Sequence, residues 1–210
     1  MISVSTEEDN VSTLFIALEN GKADVALRLI EQGVDVNTRS NNGDTPLHMA
    51  SFHGYARVVE QLIRKGADVN AKITGGGDPG ATPLHLAAMQ GHTDVILLLL
   101  KNRADVRSHL GGSGQTSTSG ATPLHLAATH NQIRAVNVLV ENGAALEAAD
   151  DYGDTALHYA ANQGLGDMVR ELVRLGAHVD VVDRYGRTPL SLAGQDSAVG
   201  MFLRQAGARR

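Results

Sequence analysis

The chain has 210 residues, 42% of them hydrophobic but only 3% aromatic and none tryptophan, so leucine, valine, isoleucine and alanine must fill its core. A formal charge of −5 offers no basic field for nucleic acid, and the absence of cysteine removes disulfide and thiol chemistry without choosing a compartment. No apolar run approaches membrane-spanning length, and Met1 to Asn10, with Glu7, Glu8 and Asp9, lacks the basic start and apolar stretch of a secretory signal.

Residues 1–9 read as a flexible segment. A helical pair follows, punctuated by Gly21 and Gly33, and its second member carries Val25, Ala26, Leu29 and Ile30 on one stripe. Next comes the phrase Thr45-Pro46-Leu47-His48. It returns as Thr82-Pro83-Leu84-His85, Thr122-Pro123-Leu124-His125 and Thr155-Ala156-Leu157-His158, and ends as Thr188-Pro189-Leu190-Ser191. Threonine caps a helix, and proline at the first helical position loses no needed N–H. A glycine stands two residues before each threonine, suited to a tight turn. Alanine pairs such as Ala87-Ala88 allow close packing of the first helix. Each second helix repeats the stripe, as in Val58, Val59, Leu62 and Ile63, and stops at Gly66, Gly143 or Gly176.

The phrase, its glycines and a step of 33 residues resemble the ankyrin repeat. The resemblance spans residues 10–208 as about six units: 10–40, 41–73, 78–110, 118–150, 151–183 and 184–208. It implies an all-α solenoid of stacked helix-turn-helix repeats with projecting hairpins and a concave face. It also implies that His48, His85, His125 and His158 are structural, tying neighbouring turns by hydrogen bonds. The first and last units depart from the pattern as caps should: Ser12-Thr13-Leu14-Phe15 replaces the phrase, and Arg204 stands in the last apolar stripe.

Three internal departures stand out. Two threonine steps lengthen to 37 and 40 residues, placing Gly-rich insertions near 74–80 and 111–120, where Asp78 and Gln115 are candidate contact residues. Insertions in repeat arrays fall on loops of one face, often the binding face, although longer surface loops also cost little. The third departure is Arg103, which takes the place of a helix-ending glycine and marks repeat three as the least stable internal unit.

The chain offers little for catalysis. Residues 75–80 spell G-x-G-x-x-G but fall at a repeat junction rather than between a strand and a helix, and no phosphate-loop, G-x-S-x-G or H-E-x-x-H pattern occurs. The histidines recur one layer apart without converging on a metal. The resemblance implies a non-catalytic protein-interaction module without cofactor: a scaffold, adaptor or inhibitor, monomeric and cytoplasmic, with a folded protein partner and neither nucleic acid nor membrane. The alternative is a small-ligand, nucleotide-binding or catalytic protein using the Gly-rich loops. Side chains that the repeat does not need for packing are the candidate contacts: Phe52, His53, Met89, Gln90, His130 and Gln163 after the first helices, and Tyr152, Arg184 and Tyr185 at the hairpin tips. Asn37 and Asn70 lie in segments resembling ankyrin asparagines that a dioxygenase hydroxylates, though asparagine is equally a turn residue.

Overall fold

The computed structural model describes residues 7–75, 79–111 and 119–209. Among them are twelve helices and no strand. They are α1 (Glu7–Glu19), α2 (Ala23–Glu31), α3 (Pro46–His53), α4 (Ala56–Arg64), α5 (Pro83–Gln90), α6 (Thr93–Lys101), α7 (Pro123–Thr129), α8 (Ile133–Glu141), α9 (Ala156–Asn162), α10 (Gly166–Arg174), α11 (Pro189–Ala193) and α12 (Ala198–Gln205). Because α1 begins at Glu7, part of the segment expected to be flexible is helical. The two insertions, with Asp78 and Gln115, fall largely outside the described residues.

The odd-numbered helices pack in one layer and the even-numbered ones in a second, each helix touching its partner and its layer neighbours. One hydrophobic core runs through both layers. Its floor is made by the small residues expected there: Ala87, Ala88, Ala127, Ala128, Ala160 and Ala161 are fully buried. A smaller apolar cluster lies apart from it, formed by Ile73, Ala81, Leu86, Leu110, Ala121 and Leu126.

Each phrase threonine is a helix N-cap, and the residue three places on closes a reciprocal capping box. Glutamate or glutamine usually fills that role, but here histidine does. His85 Nδ1 accepts the Thr82 N–H at 3.2 Å, so its proton resides on Nε2, which donates to the Ala121 carbonyl of the next hairpin at 3.2 Å. His48, His125 and His158 repeat the bridge to the carbonyls of Ala81, Asp154 and Arg187. The structural role expected of these four side chains is thus a vertical tie from each repeat to the next. Ser191 caps Thr188 in the same manner, its hydroxyl turning back to the Thr188 carbonyl.

A second tie runs along the even-numbered helices. The Asn37 amide donates to the Gly66 carbonyl and accepts the Asp68 N–H. Asn70 does the same with Arg103 and Asp105. Glu147 and Asp180 keep only the accepting half, toward His178 and Arg209. Arg107 holds the equivalent place in repeat three, and its guanidinium has no acceptor to offer. The tie is therefore lost between repeats three and four.

Arg103 sits in the left-handed region at φ 67°, where Gly66 and Gly143 stand in neighbouring repeats. Its N–H bonds to Leu100 and that of Ala104 to Leu99, the same helix stop that Gly66 makes. Glycine would remove a strain of about 1–2 kcal/mol and return part of it as added freedom of the unfolded chain. Arg103→Gly should therefore raise unfolding stability by about 0.5–1 kcal/mol, read as a higher urea midpoint at unchanged slope. In the wild type, amides of repeat three should exchange faster than those of repeats two and five. Equal protection would contradict a soft third repeat.

Candidate functional site

The odd-numbered helices and the hairpins share one face. Along it, the residue after each phrase histidine or serine recurs as Met49, Leu86, Leu126, Tyr159 and Leu192, and three places further on stand Phe52, Met89, Thr129 and Asn162. The hairpins stack edge to edge, Arg184 N–H bonding the Tyr152 carbonyl at 2.9 Å. Glycine permits this approach: a Cβ on Gly153 would lie 3.0 Å from the Arg184 nitrogen, at a φ of 84°.

The residue that opens each tight hairpin caps its own turn. The Ser40 hydroxyl accepts the N–H groups of Asn42 and Asp44. Asp150 does so for Tyr152 and Asp154, and Asp183 for Tyr185 and Arg187, each at 2.8 Å. At the two junctions that carry insertions the opening residue is Ile73 or Leu110. There backbone bonds pair Ile73 with Ala81 and Leu110 with Ala121, and at the second junction His109 Nδ1 also donates to the Gly120 carbonyl at 2.8 Å. At these junctions the opening position is apolar and joins the second cluster.

Two hollows lie on this face. One, of about 400 Å³, joins Phe15, Glu19, Asp44, Met49, Phe52, His53, Ile73, Leu86 and Met89. Phe52 is exposed and held from behind: its carbonyl accepts from His92 Nε2 at 2.9 Å, and its ring meets the edge of His53, which stacks on Tyr55. The other hollow, of about 470 Å³, is lined by Tyr152, Asp154, His158, Tyr159, Asn162, Tyr185, Arg187 and Leu192. Here Arg187 lies 5.0 Å above the Tyr185 ring and pairs with Asp183 and Asp154. The Tyr159 hydroxyl donates to Asp150 at 2.8 Å, and burial, then this bond to a carboxylate, pushes the phenol up. Burial likewise raises the Asp154 carboxyl, whose Oδ1 is enclosed without a hydrogen-bond partner. Burial acts in the same direction on Asp183, but bonds from Arg187 and Tyr185 outweigh it and hold that carboxyl below its usual range.

The structure thus brings Phe52, His53 and Met89 together in one hollow, and Tyr152 and Tyr185 in another. Gln90 and Gln163 end their helices outside both. His130 turns back onto the Leu126 carbonyl at 2.9 Å, and Arg184 is exposed beside the second hollow rather than lining it. Asn37 and Asn70 are exposed on the opposite side of the repeat, their amides engaged in the ties described above. Sequence reasoning passed over Ile73, Leu86, Leu110 and Leu126; for Leu86 and Leu126 the column following each phrase histidine carried that signal. Among the described residues no group of three His, Asp or Glu side chains converges as a metal site, and no helix is long and apolar enough to cross a membrane.

A family model described as "Ankyrin repeats (3 copies)" matches residues 2–73, 72–150 and 145–209. Comparison with curated proteins finds no match.

Proposed function

The chain belongs to the ankyrin repeat family, and from that premise we propose that it is a non-catalytic module that recognises a folded protein through its odd-helix face and hairpin tips. Members of the family generally serve protein–protein interaction. The observation that supports this face is the hollow that unites Phe52 and Met89 with Met49, Ile73 and Leu86. A rigid surface of this kind binds at little ordering cost, because its side chains are already placed. Whether binding serves as scaffold, adaptor or inhibitor is decided by assaying the partner's own activity in the complex. The same reading takes the array as a cytoplasmic monomer, and light scattering at micromolar concentration tests the oligomeric part.

Affinity capture from the source lysate tests the reading directly. Wild type is compared with a Phe52→Ala, Met89→Ala, Tyr152→Ala variant matched by circular dichroism. A protein retained by the first and lost by the second is the expected result. Equal retention moves the site away from these residues, and the absence of any specific partner counts against recognition altogether.

A further inference from the structure

We propose, building on the recognition reading above, that the hollow formed by α1, α3, α5 and the Ile73 hairpin receives a cationic amphipathic segment of the partner. A bulky apolar side chain seats between Phe52, Met89 and Ile73, and an adjacent lysine or arginine lies against Glu19 and Asp44.

Three observations converge here. The first is the change of hairpin chemistry. Where the turns are tight, Ser40, Asp150 and Asp183 each use one oxygen to cap their own turn; at the insertion junctions Ile73 and Leu110 stand in their place. Ile73, at the first insertion junction, therefore adds an apolar side chain to a hollow already lined by Phe15, Met49, Phe52, Leu86 and Met89, while the Ser40 hairpin supplies its polar lining. The second is presentation. His92 ties the Phe52 backbone carbonyl to the next repeat, and the exposed Phe52 ring rests edge-on against His53, itself stacked on Tyr55. An aromatic side chain presented at the surface is the kind of residue that dominates interface energetics. The third is charge. The described residues lining the hollow include the carboxylates of Glu19 and Asp44 and no lysine or arginine, on a chain of net charge −5. An apolar anchor alone would fill the floor and leave the rim uncompensated. An acidic segment would be repelled, whereas a basic residue next to the anchor meets both.

The test is a selection from a random peptide library against the full chain, followed by binding of the enriched peptides, synthesised and labelled, to defined variants. The expected winners carry Phe, Leu or Met within one helical turn of Lys or Arg. Their affinity should fall about tenfold for Phe52→Ala, as truncating an interface anchor does. It should fall about threefold for Glu19→Gln with Asp44→Asn, and further as salt rises, because Glu19 is exposed and Asp44 half-buried at the rim of an open hollow. Glu60→Gln, on the exposed side of α4, should leave it unchanged. Phe52 and Glu19 are exposed, and unfolding midpoints are to be compared with wild type to check that the variants fold. Acidic winners, winners without an apolar anchor, undiminished binding to Phe52→Ala, or no enrichment each overturn the inference. Winners lost with Tyr185→Ala instead would sink this groove yet leave protein recognition standing. Failure of lysate capture would strike at recognition itself.

Discussion

Lowering the pH from 6.5 to 4.5 should cost the fold about 2–3 kcal/mol through His85 alone, at about 1.4 kcal/mol per pH unit for a fully linked proton. His85 is completely enclosed, and burial drives its imidazole down to about 3. The geometry acts in the same direction: Nδ1 must accept the Thr82 N–H, and a proton there would set donor against donor. The folded state therefore stays neutral where the unfolded chain protonates near 6.5. Stability is complete above that value and is lost as pH falls toward about 3. Burial also lowers His48 and His125, so they add to the loss in the same direction. Asp154 works against them, because burial raises its carboxyl and favours its protonation in the folded state. Urea unfolding at stepped pH should show midpoints falling below pH 6.5. A flat profile between pH 6.5 and 4.5 would mean that these imidazoles are charged in the fold.

Truncating the same side chain should be the most damaging single change in the chain. His85→Ala leaves the Thr82 N–H without a partner and takes from the Ala121 carbonyl one of its two donors, the Leu110 N–H remaining, in surroundings where both residues are almost wholly buried. The orphaned donor costs about 1–3 kcal/mol, and the cavity and the lost bond to the next hairpin add to this, so a loss of about 3–5 kcal/mol is expected. The last repeat supplies a control. Ser191 caps Thr188 without bridging onward, so His85→Ser should recover about 1 kcal/mol by restoring the cap but not the tie to the next hairpin. It should also flatten the pH profile, since the titrating group is gone. Equal stability of the serine and alanine variants would show that the cap contributes nothing.

The helices were legible from the sequence because every repeat states its rules afresh. The Thr-Pro pair marks a start, the stripe at Val58, Val59 and Leu62 marks the buried side, and Gly66 marks a stop. Repetition turned these weak signals into columns. Arg103 was visible as an exception by the same logic, and it adopts the glycine conformation rather than changing how the helix ends. Individual contacts were less legible. His130 looked like a surface reader but folds back onto its own helix, a choice between side-chain rotamers that spacing does not encode. The apolar hairpin floor was hidden because the insertions displace Ile73 and Leu110 from the column of Ser40, Asp150 and Asp183. Only the backbone pairing of Ile73 with Ala81 and Leu110 with Ala121 restores the alignment. The groove around Phe52 likewise depends on α1 supplying Phe15 and Glu19 from a cap repeat that departs from the phrase.

The most direct measurement is a backbone NMR footprint of the captured partner on the labelled chain. Recognition through the odd-helix face predicts shifts concentrated at residues 49–53 and 86–90 and in the hairpins. The exposed side of the even-numbered helices, around Arg57 and Glu60 on α4, should stay unperturbed. A footprint centred on those even-numbered helices, with Phe52 and Met89 silent, would contradict it.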